Sequence, residues 1–461
     1  MSDFNISELT RLLTIPAGAG VPETSATRPP SDFDETVPEF SVGYAEAEYL
    51  LAGVASRYAG PATGPVSATS SGHRYVTRVL VRYPKQLARF SGRVVVEPFN
   101  TTYGVDRDAL WLHVGAMLQA QGDAWIGISV RAWSAGELQR RDPVRYADVD
   151  IPSNDLVWDL LRAIGTLVKQ GGEHSPLHDL AVRHVYLGGY SQSSVDTATF
   201  AAAFGALTRT TDDRPVYDGY FPASHAASLT PVAVGEGLPR FEYAPMPPTG
   251  VPVIEVQPQS DVEGFRFEEF VNPGAASVRR DDSDIIGDRF RSYEVAGAPH
   301  AAKIVGCDGN GSSFPMSAFL RAALRLLFRW TEDEITPPTA PRIALRIDDV
   351  VAEAQVDRFG NAIGGVPSPF LDAPIACYEA HSTPGPVCML AGRETALPYE
   401  VLASRYGDVQ TYLAEFTISL DATIQAGFLL EDDRSALLET QTAKAHAAFR
   451  PVSLPNKATT I

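Results

Sequence analysis

The chain contains the stretch His184-Val185-Tyr186-Leu187-Gly188-Gly189-Tyr190-Ser191-Gln192-Ser193-Ser194, in which a strand pattern meets a helix pattern. The residues before the two glycines are β-branched, aromatic or aliphatic, which is typical of a buried strand. After Ser191, small and apolar residues recur at helical spacing. The stretch therefore predicts a strand, a tight turn and a helix, with Ser191 at the apex of the turn.

The turn has the G-x-S-x-G spacing of a nucleophile elbow, with Ser193 where the last glycine usually stands. Such an elbow needs small side chains because the strand and the helix nearly touch there. Gly189 meets this need, and Ser193 adds only a hydroxymethyl group. The hydroxyl of Ser191 would then lie at a helix N-terminus, whose dipole favours developing negative charge. An ordinary strand-to-helix turn with a capping serine is the alternative interpretation.

The composition indicates a large globular protein with an acidic surface. The chain has 461 residues, of which 44% are hydrophobic and 20% are charged, and this is enough for an extensive core in one or two domains. The formal net charge of −18 argues against nucleic acid or an anionic membrane as a partner. We therefore expect a small-molecule partner, and the sequence does not define an oligomeric state.

The expected compartment follows from the N-terminus and the cysteines. Residues 1–16 carry acidic side chains where a signal peptide needs cations, and no stretch approaches the roughly 20 apolar residues of a membrane span. Cys307, Cys377 and Cys388 show neither a disulfide framework nor zinc-ligand spacing. A bridge between Cys377 and Cys388 is one option, but buried free thiols and a cytoplasmic location are the prediction.

Apolar runs that predict strands alternate with stretches of helical spacing on both sides of the elbow. The predicted strands are 40–51, 75–83, 93–97, 124–129, 185–187, 217–221, 251–256 and 291–295, and the main predicted helices are 110–121, 155–169, 192–204 and 316–330. This alternation predicts an α/β fold with a mostly parallel sheet that helices cover on both faces.

Three segments are predicted along the chain. Residues 1–40 are rich in proline, glycine and threonine and are expected to form an arm over the surface. Residues 41–335 form the α/β core. Residues 336–461 follow a proline break and contain a short strand, 342–347, and helices near 397–405, 408–427 and 430–448. We expect this extension to pack on the core as a cap.

A serine nucleophile needs a base, and the base needs a carboxylate that orients it. In proteins with a nucleophile elbow, the three residues of the triad follow one another along the chain in the order serine, acid, histidine. His300 follows the last core strand and precedes the helix at 316–330, so we predict it as the base. His225 is its rival and is predicted to line the pocket. Structural roles are predicted for His113, His174 and His184.

The predicted acid is Asp261, which lies just after strand 251–256 and can reach the second ring nitrogen of His300. Glu263, two residues further on, is the alternative. Glu255 lies on the strand itself, where we expect it to be buried too deeply to take part.

The oxyanion hole needs two backbone N–H donors. One is predicted at Gln192, directly after the nucleophile. The other lies in the loop after strand 93–97, where Asn100 and Thr101 are both candidates. The side chains predicted to line the substrate pocket are Thr102, Tyr103, Tyr190, His225 and Trp133. No metal ion and no organic cofactor are predicted.

Further stretches of the chain resemble a bacterial family of α/β-hydrolase-domain proteins of similar length, which are esterase-like serine hydrolases. The matching stretches run nearly from end to end and are Gly43-Tyr44-Ala45-Glu46-Ala47-Glu48-Tyr49, Val96-Glu97-Pro98-Phe99-Asn100, Gly127-Ile128-Ser129-Val130, Asp142-Pro143-Val144-Arg145-Tyr146, Gly189-Tyr190-Ser191-Gln192-Ser193, Tyr293-Glu294-Val295-Ala296-Gly297 and Asn361-Ala362-Ile363-Gly364-Gly365-Val366. The resemblance implies an α/β-hydrolase fold with a C-terminal extension and a triad of Ser191, His300 and Asp261.

The chain departs from the family pattern around the predicted pocket. Pro98, Phe99 and residues 101–103 differ at the oxyanion loop, and Arg131 and Trp133 differ at the pocket rim. These departures bear on the class of substrate and leave the predicted fold unchanged.

The sequence therefore predicts hydrolysis of a carboxylic ester through an acyl-enzyme, because an ester leaving group needs little help from an acid. Acyl transfer and the opening or closing of a lactone would use the same triad. A dry pocket roofed by the extension would favour acyl transfer. A binding protein that keeps the fold without the chemistry is the alternative from a different class.

Overall fold

The computed structural model describes residues 11–13, 42–235, 240–266, 271–309, 311–347 and 352–450. Its strands are β1 (Arg11–Leu13), β2 (Tyr44–Ala59), β3 (Ser67–Pro84), β4 (Arg93–Pro98), β5 (Ala124–Ile128), β6 (His184–Tyr190), β7 (Gly219–Ala223), β8 (Ser228–Leu229), β9 (Glu242–Tyr243), β10 (Val253–Pro258), β11 (Phe265–Arg266), β12 (Val271–Asn272), β13 (Phe290–Val295), β14 (Leu345–Ile347), β15 (Ala352–Ala354), β16 (Ala376–Glu379) and β17 (Arg393–Ala396). Its α-helices are α1 (Ala109–Gln121), α2 (Ala132–Arg141), α3 (Val157–Gln170), α4 (Gln192–Thr199), α5 (Gln259–Glu263), α6 (Met316–Glu332), α7 (Pro369–Asp372), α8 (Tyr399–Tyr406), α9 (Val409–Gln425) and α10 (Arg434–Ala448).

The main sheet joins nine strands of the described chain in the order β1-β2-β3-β5-β4-β6-β7-β10-β13. Strands β1, β2, β3 and β5 pair antiparallel with one another in that order. From β5 to β13 every neighbouring pair is parallel. The carboxyl ends of these parallel strands therefore meet at one edge of the sheet, where open α/β sheets bind their ligands.

Helices cover both faces of this sheet, so the predicted α/β architecture is confirmed. On one face, the sheet shares a buried cluster with α1 and α6, including Leu110 and Leu327. On the other face, a second cluster includes Leu160 and Ile164 of α3 and continues through the helical segment after α4. The strands between the two clusters are nearly continuous apolar runs because both of their faces are buried.

The C-terminal part of the described chain contains the three predicted helices, as α8, α9 and α10. Its aromatic residues join the same cluster as α1 and α6. The ring of Phe370 lies 5.7 Å from that of Phe314, and the ring of Phe428 lies 5.5 Å from that of Tyr293. The predicted strand 342–347 shortens to β14, which pairs with β15.

The antiparallel hairpin is longer than the sequence predicts. β2 and β3 run together from Tyr44 to Pro84, whereas alternation marks only 40–51 and 75–83. The first residues of β3 are exposed on both faces, so no apolar alternation marks them. The predicted N-terminal arm lies outside the described residues except for β1, which pairs with β2 at the sheet edge.

The cysteine prediction is wrong for two of the three residues. Cys307 and Cys388 form a disulfide, while Cys377 is free and half-buried. The bridge joins the loop after β13 to the C-terminal extension across 81 residues, a proximity that only the tertiary fold creates. Disulfides are typical of oxidising compartments, so the cysteines do not support the expected cytoplasmic location. Among the described helices, none has the length and apolarity that crossing a membrane requires.

Candidate active site

Ser191 stands between β6 and α4 in a strained backbone conformation, with φ 60° and ψ −130°. A non-glycine residue at positive φ is uncommon and marks a constrained site. A Cβ atom at Gly189 would lie 2.5 Å from the carbonyl group of Ser193, so only glycine fits there. The buried hydroxyl of Ser193 accepts a hydrogen bond from the Tyr190 N–H and donates one to the Tyr190 carbonyl, each at 3.0 Å. Serine in place of the usual glycine thus links the two sides of the turn through these hydrogen bonds.

His300 connects Ser191 to Asp261. Its Nε2 lies 2.9 Å from the Ser191 Oγ, and its Nδ1 lies 3.0 and 3.1 Å from the two carboxylate oxygens of Asp261. Asp261 is fully buried in the middle of the short helix α5, three residues after the end of β10. Ser191, Asp261 and His300 follow three different parallel strands, and their loops meet because those strands end at the same edge.

Ser224 is a member of this cluster that the sequence does not predict. Its hydroxyl donates to Asp261 at 3.1 Å and lies 2.9 Å from the Nδ1 of His300. It follows β7 in a loop where Ser224, Ala226 and Ala227 all have φ between 49° and 59°. Three such residues in one loop store backbone strain beside the carboxylate. The only sequence signal is a run of small residues after a buried strand.

Tyr190 and His113 support the loop that carries His300. The Tyr190 hydroxyl donates to the backbone carbonyl of His300 at 2.6 Å, and its ring lies 4.2 Å from that of His113. His113 in turn lies 2.8 Å from the Ser317 hydroxyl. Burial, with smaller effects of Arg321 and His300, lowers the pKa of His113 to about 3. His113 is therefore neutral near pH 7.

The predicted oxyanion donors differ in whether their backbone N–H groups already have an acceptor. Gln192 is the first residue of α4, where a backbone N–H has no acceptor within the helix. The N–H of Asn100 donates to the Arg107 carbonyl at 2.9 Å, and the N–H of Thr101 donates to the side-chain oxygen of Gln192 at 2.9 Å. Both candidates in the loop are thus engaged, and the N–H of Thr101 becomes available only if the Gln192 side chain turns away.

A cavity of about 260 Å³ opens beside Ser191 and His300. It is lined by Asn100, Thr102, Tyr103, Arg107, Ala109, Leu112, His113, Tyr190, Ser191, Pro299, His300, Ala301, Ala302, Lys303, Phe314, Pro315, Met316, Ser317 and Leu390. The lining includes the predicted pocket residues Thr102, Tyr103 and Tyr190. Leu390 is its contribution from the C-terminal extension.

Two residues predicted to line the pocket lie elsewhere. His225 is buried, with its Nε2 3.3 Å from a carboxylate oxygen of Glu255, because the strained loop after β7 directs it away from the cavity. Trp133 lies on α2, where its ring is 5.8 Å from the guanidinium carbon of Arg131. Arg131 forms a buried ion pair with Asp196 of α4 at 2.5 Å, so Trp133 belongs to that structural cluster.

Glu263, the alternative acid, is engaged with a different histidine. Its carboxylate lies 2.8 Å from the Nε2 of His381 and accepts hydrogen bonds from Gln259 and from the Ala354 N–H, each at 2.9 Å. The structure therefore brings Asp261, and not Glu263, to His300. In the part of the chain that the structure describes, no three side chains of His, Cys, Asp or Glu are grouped as metal ligands.

The comparison with known families agrees with this architecture. A family profile described as an alpha/beta hydrolase domain matches residues 15–439. The chain belongs to this alpha/beta hydrolase domain family. The match extends through most of the segment that the sequence analysis separates as a C-terminal extension. No curated protein matches this alpha/beta hydrolase domain protein significantly.

Several solved structures are similar to parts of this alpha/beta hydrolase domain protein. One is an α/β serine hydrolase without a lid from Xanthomonas campestris, with 14% identity over 64% of this chain and 98% of its own, and a TM-score of 0.33. A second is an α/β serine hydrolase homologue from Coxiella burnetii, with 12% identity over 49% of this chain and 85% of its own (TM-score 0.29). A third is Est1E from Butyrivibrio proteoclasticus, with 12% identity over 49% and 86% and the same TM-score.

Proposed function

We propose that the protein is a serine hydrolase that cleaves a carboxylic ester through an acyl-enzyme. The observation that carries this proposal is the position of the His300 ring. One nitrogen lies 2.9 Å from the Ser191 Oγ and the other lies 3.0 Å from the buried carboxylate of Asp261. Nucleophile, base and orienting acid are thus within hydrogen-bond reach of one another beside a cavity.

This arrangement supports a two-step reaction. His300 accepts the hydroxyl proton at Nε2 while the Ser191 Oγ attacks the ester carbonyl, and Asp261 stabilises the resulting imidazolium. His300 then gives this proton to the leaving alcohol, which leaves an acyl group on Ser191. In the second step His300 takes a proton from water, the water attacks the acyl carbonyl, and Ser191 recovers its proton as the acid leaves.

Two backbone N–H groups, in the segments that follow β4 and β6, would stabilise the oxyanion. The backbone N–H of Gln192 is one donor, at the N-terminus of α4 where the helix dipole adds to its effect. We propose the N–H of Thr101 as the second donor, reached when the substrate oxygen replaces the side-chain oxygen of Gln192. The displaced carboxamide would then act as a placeholder that keeps the loop in position between turnovers.

Access of water favours hydrolysis over acyl transfer. Thr102, Tyr103 and Ala302 line the cavity and are exposed, so the cavity opens to solvent beside them. Acyl transfer needs a site that excludes water from the acyl-enzyme. Leu390 alone among the described lining residues comes from the extension, which therefore does not roof the cavity.

The proposal is tested with Ser191→Ala and a fluorophosphonate probe. We expect the wild type to react with the probe and to hydrolyse 4-nitrophenyl acetate, and Ser191→Ala to do neither. Ser277→Ala, a change at an exposed serine, is the matched control and should behave like the wild type. Unchanged turnover in Ser191→Ala would contradict the proposal.

The first oxyanion donor can be tested separately, because position N1 of a helix tolerates proline. Gln192→Pro removes the N–H, whereas Gln192→Ala removes the same side chain and keeps the N–H. We expect kcat of the proline variant to be roughly 10²- to 10³-fold below that of the alanine variant, as for loss of one oxyanion donor. Equal kcat values in two folded variants would exclude Gln192 as a donor.

A further inference from the structure

Two serine hydroxyls contact the carboxylate of Asp261 in addition to His300. Ser224 donates to one carboxylate oxygen at 3.1 Å, and Ser260 donates to the other at 3.0 Å. All three side chains are buried, and a buried carboxylate needs hydrogen bonds in place of the water that it has lost. The two hydroxyls therefore supply part of those hydrogen bonds and fix the plane of the carboxylate, with one serine on each oxygen.

The two serines differ in their relation to the imidazole. Of these two described side chains, only that of Ser224 also lies within hydrogen-bond distance of His300, with its Oγ 2.9 Å from Nδ1. The Asp261 oxygens lie 3.0 and 3.1 Å from the same nitrogen. A base that accepts a proton at Nε2 carries its own ring proton on Nδ1. Because the Ser224 hydroxyl donates its proton to Asp261, its oxygen lone pairs are available to that Nδ1–H.

The loop after β7 fixes the position of the Ser224 hydroxyl. The Ser224 N–H donates to the Val256 carbonyl at 2.8 Å, and the Ala226 N–H donates to the side-chain oxygen of Gln257 at 3.2 Å. Both acceptors belong to β10, so the loop is attached to the strand that precedes Asp261. The φ angle of Ser224 is 59°, a left-handed conformation that residues with side chains rarely adopt. The surrounding contacts thus hold Ser224 in a conformation that is intrinsically unfavourable.

We propose that Ser224 is a positioning residue, whose hydroxyl holds the Asp261 carboxylate against the Nδ1 of His300 during proton transfer. This inference rests on the proposed ester hydrolysis and adds a fourth residue to it. Ser224 is not among the described residues that line the cavity, so its effect passes through Asp261 and His300. When His300 is an imidazolium, the Ser224 oxygen accepts from Nδ1–H and its own proton stays directed at Asp261. Ser224 neither gains nor loses a proton in the reaction.

The first test removes the hydroxyl of Ser224. Ser224→Ala keeps the Cβ atom and the strained backbone. We expect kcat for 4-nitrophenyl acetate to fall roughly 10- to 100-fold, the range for loss of a hydrogen bond to a charged group. KM should change less than about threefold, because Ser224 does not touch the substrate. Ser224→Gly removes the same hydroxyl and suits the left-handed backbone, so it should show the same loss even if the alanine variant fails to fold.

Ser228→Ala is the matched control for these variants. Ser228 is also buried and follows β7 in the same segment, but its hydroxyl accepts a hydrogen bond from the Asn272 side chain at 3.0 Å. The substitution therefore removes an equivalent buried hydroxyl that does not contact Asp261 or His300. We expect kcat and KM of this variant to stay within about twofold of the wild-type values.

A double-mutant cycle with Asp261→Asn tests whether Ser224 acts through the acid. Residues that act as a unit have strongly non-additive effects on kcat. Once the carboxylate is an amide, the Ser224 hydroxyl has no charge to hold, so Ser224→Ala should lower kcat less than about threefold in the Asp261→Asn background. A purely structural role would lower kcat by the same factor in both backgrounds. Rates are measured above the rate of Ser191→Ala, and thermal unfolding checks that each variant is folded.

The outcomes separate this inference from the proposed function. If folded Ser224→Ala or Ser224→Gly keeps the wild-type kcat while Ser191→Ala abolishes turnover, the positioning inference is wrong and the hydrolase proposal stands. An equal loss in the two backgrounds likewise overturns the inference. Turnover that persists in Ser191→Ala overturns the proposed function itself, and with it the role of Ser224.

Discussion

Two histidine–carboxylate pairs lie close together in this protein, and only one of the two contacts Ser191, the proposed nucleophile. His300 pairs with Asp261 at 3.0 Å and His381 pairs with Glu263 at 2.8 Å. The ring of Phe265 separates them, with its centroid 5.9 Å from each imidazole. The pairs differ in the second ring nitrogen, which lies 2.9 Å from the Ser191 Oγ in one and 2.6 Å from the Met389 carbonyl in the other.

This difference distinguishes the imidazole that we propose as the base from one that makes only structural contacts. A base must give and receive a proton at a nitrogen that faces a reacting group. Both nitrogens of His381 lie within hydrogen-bond distance of protein oxygens, so neither nitrogen faces a reacting group. Burial favours the neutral form of His381, but the hydrogen bond and charge of Glu263 outweigh it and raise its pKa. The raised pKa favours the protonated form of His381, which through Glu263 links the extension to the core.

The difference between the two histidine–carboxylate pairs is tested most directly by removing the carboxylate charge from one pair at a time. We expect Asp261→Asn to lower kcat about 10⁴-fold, because an amide leaves His300 without the partner that fixes its tautomer and stabilises its positive charge. Glu263→Gln makes the same chemical change in the second pair and should lower kcat less than about tenfold. Steady-state kinetics with 4-nitrophenyl acetate gives both values.

The result that would contradict this distinction is a loss of similar size in both variants. It would mean that the two pairs act as one unit through Phe265. Thermal unfolding of both proteins is the control, since Glu263→Gln should lower the stability without removing the reaction.

A second prediction concerns the disulfide that joins the two regions. Cys388 is followed directly by Met389, which accepts the His381 hydrogen bond, and by Leu390, which lines the cavity. We expect Cys307→Ser to lower the free energy of unfolding by on the order of 2–5 kcal/mol, as for the loss of a native disulfide. Denaturant unfolding measures this change, and Cys377→Ser, which removes only a free thiol, should alter it by less than about 1 kcal/mol.

If Cys307→Ser unfolds at the same denaturant concentration as the wild type, the bridge does not stabilise the contact between the His300 loop and the extension. Addition of a reductant to the wild type should reproduce the loss seen in Cys307→Ser, and should have no effect on that variant.

The smallest effect that we predict is a pH dependence of stability from the second pair. The pKa of His381 is raised from 6.5, so its contribution is fully present below that pH and is lost as the pH rises through the raised value. Burial opposes ionisation of Glu263, but hydrogen bonds from His381 and other donors lower its pKa from 4.5, so its contribution is lost as the pH falls through the lowered value. The pair therefore stabilises most between about 4.5 and 6.5.

The measurement is the difference in unfolding free energy between the wild type and His381→Gln. We expect a difference on the order of 1–3 kcal/mol at pH 6, the range for a charged hydrogen bond, and a smaller one at pH 9. A difference that grows between pH 6 and pH 9 would show that His381 is not held as a cation in the folded protein.

The sequence predicts the parts of this protein that local patterns control. Strands such as Arg93–Pro98, the turn at Ser191 and the helix Met316–Glu332 follow from apolar periodicity and turn residues. The placing of Asp261 and His300 follows from the rule that loops after parallel strands meet at one edge. None of these predictions needs a contact between distant side chains to be known in advance.

The residues that the sequence does not predict depend on such contacts. Ser224 bonds Asp261 and lies near His300 only because β7 and β10 are neighbours in the sheet. The same holds for the disulfide partners, and for Arg107 and Lys303 at the cavity. His225 shows the reverse error, because a strained backbone at Ser224 redirects a side chain that strand position alone would place at the pocket.

The hydroxyl at position 193 has a consequence for engineering this chain. A designer who follows the commoner G-x-S-x-G pattern would replace Ser193 with glycine to relieve crowding in the turn. Here that change would remove both hydrogen bonds to Tyr190 and add backbone freedom two residues after the proposed nucleophile. Ser193 departs from the commoner motif, but its hydroxyl stabilises the turn. Replacing it with the consensus glycine would therefore destabilise the turn.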